Sequence, residues 1–235
     1  MAKRIAQMIE QQVHFWKMNH PVEDKLLHKG KSFPVITISR EYGAQGKEIA
    51  SQLEQKIGFK VWDKEILDVI SERLGSNSEF LEYLDENRQN AIDDAIFGFM
   101  NHKSTNLNYL IYLVKAIQAI AKYGNAVIMG RGANFILKGK NTFDVRVVAP
   151  FSARVAHIAE TENVGKDEAR ILVFKKEQAR QEFTEHNFSH DSANPVEYDL
   201  VINSHTMGID AACDLIVAGY ESKMGEELKV REMAL

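Results

Sequence analysis

Residues 34–59 constrain the fold of this chain more than any other stretch. They open with the β-branched run VITI at 35–38, which is typical of a buried strand, and continue into a loop that contains Gly43 and Gly46. After the loop, apolar residues recur at helical spacing, at Ile49, Ala50, Leu53 and Ile57. The sequence therefore predicts a strand, a glycine loop and a helix in direct succession.

A turn that feeds the N-terminus of a helix can hold phosphate. The first backbone N–H groups of the helix lack internal partners and carry the positive end of its dipole, and glycines let the main chain wrap closely round an anion. Lys47 adds a mobile positive charge. The turn is therefore a candidate phosphate-binding site, formed by the following residues: Gly43, Ala44, Gln45, Gly46, Lys47 and Glu48.

The loop departs from the general phosphate-loop pattern GxxxxGK[ST] at two positions. Gly46 and Lys47 match, but Glu41 stands where the first glycine belongs, and Glu48 stands where the pattern has the Ser or Thr that binds Mg²⁺. On these residues alone, a glycine-containing turn with a surface lysine is the simpler interpretation. The surrounding sequence has to decide between the two.

The surrounding sequence resembles the cytidylate kinase-like family of P-loop nucleoside monophosphate kinases. In that family an Ile-Ser-Arg strand end leads to a Gly-rich loop that ends in Gly-Lys or Gly-Arg and continues as Glu-Ile-Ala. The run ISREYGAQGKEIA at residues 38–50 matches this pattern. Three further blocks match in order, DKEIL at 63–67, MGRGANFIL at 129–137 and YDLVIN at 198–203. The resemblance extends over about residues 35–220.

The strand pattern predicts a doubly wound α/β fold. Short apolar runs predict five strands, at residues 35–38, 60–62, 126–129, 143–149 and 199–203. Each connection is long enough for a right-handed βαβ crossover, so the sheet is expected to be parallel. The resemblance implies a P-loop NTPase sheet with the strand order 2-3-1-4-5.

We predict three parts along the chain. Residues 1–33 read as an amphipathic helix and a polar linker, with the helix docked on its own domain or in a homodimer. Residues 34–222 form the kinase-like domain, and residues 223–235 form a charged tail. Residues 76–123 contain no convincing strand, which predicts a helical insertion over about residues 64–123. The resemblance implies that this insertion binds the monophosphate and that a lid covers about residues 154–195.

Composition narrows the classes of function. Lys and Arg number 29 against 33 Asp and Glu, and the net charge of −4 argues against nonspecific binding of nucleic acid. No apolar run reaches membrane-spanning length, and the lone Cys213 excludes an internal disulfide. We expect a cytoplasmic protein whose partners are nucleotides, with no nucleic-acid or membrane partner.

Two residues stand where predicted strands end at the ligand-binding edge of the sheet. Asp63 follows the second strand, and a helix N-cap and a ligand contact are equally compatible with it. Arg131 lies between Gly130 and Gly132 after the third strand, and its guanidinium is suited to gripping phosphate. The resemblance places Asp63 near the acceptor or a metal-bound water and Arg131 on the acceptor monophosphate. The alternative for Arg131 is a surface salt bridge.

The resemblance also implies arginines that fold over the phosphates from the lid. Arg154 and Arg180 lie in this part of the chain, and the segment KEQARQEF at 176–183 resembles the lid of the family. Arg40, at the end of the first strand, is predicted to bind the substrate together with Asp63, Arg131 and Arg154. Lys47, Arg131 and Arg180 are the predicted catalytic residues.

The implied reaction is phosphoryl transfer from ATP to a nucleoside monophosphate, with CMP or dCMP as acceptor. Mg²⁺ would accompany ATP, and Glu48 and Asp63 are its candidate ligands because no Asp ends the third strand. Alternatively, Glu48 turns away from the nucleotide and pairs with a cation such as Arg40. Two other functions stay open, a P-loop kinase for another small acceptor and a nucleotide-binding regulatory protein without turnover.

Overall fold

The computed structural model of the chain describes residues 34–65, 67–68, 107–138, 141–225 and 228. The predicted N-terminal helix and linker, most of the predicted helical insertion and most of the charged tail lie outside these residues. The strands that the sequence predicts, and the segments that follow them at the ligand-binding edge, lie within them.

One parallel sheet of five strands has the order β2-β3-β1-β4-β5. Its strands are β1 (Val35–Arg40), β2 (Lys60–Trp62), β3 (Ala126–Met129), β4 (Thr142–Val148) and β5 (Leu200–Asn203). In the central strand, Val35 is in register with Ala126 on one side and Thr142 on the other. The predicted doubly wound parallel sheet with strand order 2-3-1-4-5 is confirmed.

Helices cover both faces of the sheet. They are α1 (Gly46–Ile57), α2 (Leu107–Tyr123), α3 (Ala133–Ile136), α4 (Phe151–Thr161), α5 (Lys166–Phe188) and α6 (Ser204–Met224), with a 3₁₀ turn at Pro195–Glu197. One apolar core joins α2 and α3 to the sheet, and a second joins α1 and α6 to the opposite face. Within the described part of the chain, no helix is both long and apolar enough to cross a membrane.

Helices α4 and α5 form a smaller unit beside the carboxyl ends of the strands. They pack on each other through Val155, Ile158, Ala169 and Val173, and this small cluster is separate from the two main cores. Apolar burial of this size stabilises the pair while leaving much of α5 exposed. The pair falls in the region that the sequence assigned to a lid.

The two charged residues of strand β4 differ in burial. Asp144 is half-buried, whereas Arg146 is only 5% exposed. Its guanidinium is enclosed because Ser39 of β1 and Glu177 of α5 both approach it at the carboxyl end of the strand. A charged group inside the sheet edge needs such partners.

Candidate functional site

The glycine loop follows β1 at the carboxyl edge of the sheet. Gly43 has φ +86° and Gln45 has φ 56°, and the N–H of Ala44 donates to the carbonyl of Glu41 at 3.3 Å. Helix α1 then begins at Gly46, so its first N–H groups face the loop. The predicted succession of strand, glycine loop and helix is confirmed.

The glycines of the loop make room for two arginines. A Cβ atom on Gly43 would lie 2.8 Å from the carbonyl oxygen of Arg154, and one on Gly46 would lie 2.8 Å from Cβ and Cγ of Arg40. Any side chain at either position would displace its neighbour. The loop therefore sits tightly between Arg40 on one side and Arg154 on the other, while the side chain of Lys47 is exposed.

A cavity of about 330 Å³ opens beside the loop, at the carboxyl ends of β1, β3 and β4. Its lining is strongly basic, with Arg40, Lys64, Arg131, Arg146, Lys176 and Arg180. Glu65 is the carboxylate among its lining residues, and Tyr42, Phe135 and Phe183 supply aromatic rings. The lining does not include Lys47. The structure thus brings together Arg40, Arg131 and Arg180 in one cavity and leaves Lys47 at the loop next to it.

Arg131 enters the cavity from the turn after β3, where its own φ is 55°. Its Nε and Nη2 donate to the two carboxylate oxygens of Asp68 at 2.7 and 2.5 Å, and its guanidinium lies 4.7 Å from the ring centroid of Phe183. Burial is the largest influence on the pKa of Arg131 and lowers it, but the hydrogen bonds to Asp68 and the charges of Tyr109, Asp68 and Glu65 together outweigh burial, so the net shift is upward. In this structure Arg131 grips a carboxylate with the fork geometry that also fits phosphate.

Sequence reasoning missed Asp68. It comes five residues after Asp63, in helical residues that follow β2. Helical spacing could have indicated it. Asp68 falls one helical turn after Lys64 and Glu65, and those two residues line the cavity that Arg131 enters.

Arg40 extends from β1 past two glycines. Its Cβ and Cγ pass Gly46, and a Cβ atom on Gly130 would overlap its Nη1. Burial, followed by the positive charge of Arg180, lowers the pKa of Arg40 to about 9. Glu65 and Asp63 act in the opposite direction. The cation is thus held in surroundings that disfavour its charge, and a bound anion would stabilise it.

Arg180 reaches the end of β1 from α5. Its Nη1 donates to the carbonyl of Arg40 at 3.0 Å, and its guanidinium lies 5.2 Å from the ring centroid of Tyr42. Burial lowers its pKa, and the charge of Arg146 adds to this, whereas Glu177 and Tyr42 raise it. Two like charges in one cavity repel, so Arg40 and Arg180 together form a site that favours a negative ligand.

Arg154 lies behind the loop and does not line the cavity. It is 8% exposed, and it donates to the carbonyls of Ala149 and Tyr42 at 3.1 and 3.4 Å. Carboxylates of Glu41 and Glu177 lie 3.3 and 3.4 Å from it. These contacts assign Arg154 to fixing the loop, and its substrate contact stays a prediction that they do not favour.

Glu177 is a second residue that the sequence did not single out. It lies in a charge run on α5, yet its carboxylate accepts the N–H of Tyr42 at 2.6 Å and approaches Arg154 and Arg146 at 3.4 and 3.8 Å. Its spacing could have indicated this role, because Glu177 precedes Arg180 by one helical turn and therefore lies on the same face of α5. Glu177 thereby links α5, the helix that carries Arg180, to the loop and to β4.

Two buried N–H donors in the cavity lining have no hydrogen-bond partner within the described residues. They are Nδ2 of Asn134 and Nε of Arg146. The other nitrogens of Arg146 are engaged, because Nη1 donates to Ser39 at 2.7 Å and Nη2 lies 3.8 Å from Glu177. Buried polar groups are almost always bonded, so a water molecule or a ligand in the cavity is the natural partner of these two donors.

The candidate magnesium ligands lie on different elements. Glu48, in the first turn of α1, has its Oε1 3.2 Å from Nε2 of His157 on α4, so its partner is a histidine and not Arg40. Asp63 follows β2, and its carbonyl accepts the N–H of Leu67 at 3.0 Å, as at the start of a helix. Among the described residues, no three His, Cys, Asp or Glu side chains gather to hold a metal. Magnesium needs only one or two carboxylates when phosphates supply the rest, so Glu48 and Asp63 stay candidates.

Comparison with known proteins shows which family this sequence and structure resemble. The sequence model of the cytidylate kinase-like family matches residues 35–206. A cytidylate kinase from Thermoplasma acidophilum is 25% identical over 175 residues, which cover 73% of this chain and 84% of that protein. The crystal structure of an uncharacterized protein from Eubacterium ventriosum shares the fold, with a TM-score of 0.62, 20% identity and coverage of 80% of this chain and 98% of that one.

Proposed function

This chain belongs to the cytidylate kinase-like family, and from this premise we propose that it transfers a phosphoryl group from ATP to a nucleoside monophosphate. Family membership makes it a kinase-type phosphotransferase. CMP or dCMP is the proposed acceptor, because the similar Thermoplasma protein is a cytidylate kinase. The cytoplasm is the proposed location.

The observation that carries the proposal is the basic cavity directly beside the glycine loop. The cavity holds four arginines, and the loop presents the N-terminus of α1 and the exposed Lys47. Two adjoining anion sites are what a reaction between two phosphates requires. Phosphoryl transfer demands little covalent chemistry from the protein, because positioning and electrostatic stabilisation supply most of the catalysis.

On the donor side, residues 43–48 would hold the phosphates of ATP. The N–H groups at the start of α1 would donate to the phosphate oxygens, and Lys47 is exposed and therefore able to turn towards them. Mg²⁺, when bound, would neutralise charge on the donor phosphates, with Glu48 and Asp63 as its proposed protein ligands. Arg180 would offset charge on the transferred group from the opposite side.

On the acceptor side, Arg131 would exchange Asp68 for the acceptor phosphate. Both partners present two oxygens to the same guanidinium fork, and the phosphate carries more charge. Arg40 would add a second positive charge, and the lowered pKa of its guanidinium supports a gain in stability when an anion arrives. The proposed acceptor therefore lies between the ends of β1 and β3.

A coupled assay of ADP release tests the proposal. With ATP and Mg²⁺ present, we expect release to depend on an added nucleoside monophosphate and to be fastest with CMP or dCMP among CMP, dCMP, UMP, AMP and GMP. Release that is the same with and without every monophosphate would contradict it. Release with another small acceptor alone would favour the alternative of a kinase with a different substrate.

The second candidate function is a nucleotide-binding regulatory protein without turnover. The pair between Glu48 and His157 favours it, because this pair occupies the position where the general loop pattern supplies a hydroxyl to Mg²⁺. The gathering of Arg40, Arg131 and Arg180 favours the enzyme, since binding alone does not require charges on both sides of the transferred group.

Replacing Glu48 separates a metal role from a structural one. A carboxylate about 5 Å from a phosphate charge, at an effective dielectric near 20, is disfavoured by about 3 kcal/mol, and Mg²⁺ between them reverses the sign. If Glu48 serves the metal, we expect Glu48→Gln to raise the Mg²⁺ concentration for half-maximal turnover and to leave binding of metal-free ATP equal or tighter. A magnesium titration of the rate and calorimetry with EDTA measure the two effects.

His157→Gln is the matched control for this prediction. It removes the partner of Glu48 on α4 and keeps the carboxylate on α1. If both variants lose thermal stability equally and neither changes the magnesium dependence, Glu48 is a structural partner of His157 and the metal role is wrong.

A further inference from the structure

We propose that Asn134 selects the acceptor by donating a hydrogen bond from its Nδ2 to a carbonyl oxygen or ring nitrogen of the acceptor's base. The proposal rests on the proposed function, because it assigns the basic cavity to a nucleoside monophosphate. It adds a specificity-determining residue to a cavity whose arginines account for phosphate and leave the base without a partner.

Asn134 is held in place without being satisfied there. It is 6% exposed and lies in the short helix α3, whose four residues are all buried. The preceding turn is locked, because Gly132 has φ +68° and a Cβ atom there would overlap the ring of Phe188. The amide is buried, and its Nδ2 has no partner within the described residues. The cavity that it lines is where a partner can arrive.

A second buried asparagine shows how the same fold satisfies such a group. Asn187 is 8% exposed, and its Nδ2 donates to the carbonyl of Phe183 at 2.7 Å. Asn187 does not line the cavity. Burial of Asn187 is thus accompanied by a hydrogen bond from its Nδ2, whereas the Nδ2 of Asn134, a residue that lines the cavity, has none within the described residues. An unbonded buried amide reduces the stability of the fold, and a ligand in the cavity would supply the missing hydrogen-bond partner.

The chemistry around Asn134 fits a base better than a phosphate. The arginines of the cavity already supply charged donors for the phosphate. A neutral amide would add little to the binding of that group. The rings of Phe135 and Phe183 line the same cavity, and aromatic surfaces with one placed polar group suit a flat heterocycle. Carbonyl oxygens and ring nitrogens of bases accept hydrogen bonds, as Nδ2 requires.

The same cavity holds a second unpartnered donor, the Nε of Arg146. Arg146 lies on β4 and Asn134 follows β3, with β1 between the two strands. A nucleoside monophosphate carries acceptor atoms on its base, sugar and phosphate, so one ligand offers partners to donors at different places in the cavity.

The test replaces Asn134 by leucine, which has nearly the same shape and no polar atom. We expect the acceptor kcat/KM with CMP to fall about 10-fold to 100-fold, because a positioned donor is lost. The KM for ATP should stay within about twofold. The melting temperature of the free protein should rise by about 2 °C, because an unbonded buried amide has been removed. Asn134→Ala serves as a second variant that cannot overpack the cavity.

Asn187→Leu is the matched control, and we expect the opposite pattern from it. Its melting temperature should fall, because a made hydrogen bond is lost, and its kcat/KM with CMP should stay near that of the wild type. Inorganic phosphate provides the second control ligand. Its binding, followed by thermal shift, should be the same in the wild type and in Asn134→Leu.

Two results would overturn the proposal. One is an unchanged CMP kcat/KM in both Asn134 variants, and the other is an equal loss of binding for inorganic phosphate and for CMP. Failure of the proposed function gives a different signature. In that case the wild type turns over no monophosphate, and thermal shift with CMP becomes the test. If CMP stabilises the wild type and not Asn134→Leu, the contact is supported. If CMP stabilises both proteins equally, the contact is refuted.

Discussion

Lys47→Ala is expected to abolish turnover and to weaken ATP binding, with little change in the stability of the fold. Removing one positioned charge from the transition state of a phosphoryl transfer commonly costs about 3 kcal/mol or more, which is about a hundredfold or greater in rate. Lys47 stands at the N-terminus of α1, where its charge adds to that of the helix. Coupled ADP release measures the rate, and calorimetry measures ATP binding.

The stability expected of Lys47→Ala follows from the exposure of the Lys47 side chain. The side chain of Lys47 is exposed, and surface substitutions usually change the free energy of unfolding by less than about 0.5 kcal/mol. Lys175→Ala, on the exposed part of α5, is the matched control, and both its turnover and its stability should be unchanged. Near wild-type turnover in Lys47→Ala would refute the assignment of residues 43–48 to the donor phosphates.

Arg131→Ala has the second largest expected effect, and it should act on the acceptor. The bidentate guanidinium is expected to hold the acceptor phosphate, so the apparent acceptor constant should rise about 10-fold to 100-fold. ATP affinity, measured by calorimetry, should hardly change. Equal weakening of both ligands would move Arg131 to the donor side or indicate a general loss of structure.

The pair with Asp68 gives this prediction an internal control. Removing Arg131 leaves the Asp68 carboxylate with the hydroxyl of Tyr109, 2.6 Å away, so some loss of stability is expected. Asp68→Asn removes the competing carboxylate and keeps Arg131. If Arg131 binds the acceptor, the apparent KM for the acceptor should be lower or unchanged in Asp68→Asn. If the pair is only structural, both variants should lose stability and neither should change that constant.

The order of strands, loop and helices could be predicted because it depends on local patterns. The β-branched run that became β1, the glycines of the loop and the helical spacing in α1 lie within one continuous stretch. The apolar run at residues 126–129 forms β3, as predicted, and all four of its residues are buried. The spatial order of the strands required the family resemblance, because pairing between distant strands has no local signature.

The pairs that shape the site could not be predicted, because they join residues far apart in the sequence. Arg146 meets Glu177 only because the end of β4 lies beneath α5. In the sequence, Glu177 is one charge among many on a helix with much exposed surface, and a solvated face was the natural interpretation. The partner of Glu48 was missed for the same reason, since His157 approaches it from α4.

The central claim is that phosphate passes from ATP to a nucleoside monophosphate. Phosphorus NMR of a reaction with ATP, Mg²⁺ and CMP tests it most directly, because it resolves ADP, CDP and inorganic phosphate in one sample. We predict that CDP appears in a one-to-one ratio with ADP and that neither forms in Lys47→Ala. ADP that accumulates with inorganic phosphate and without CDP, or no change in ATP with any monophosphate, would contradict the account.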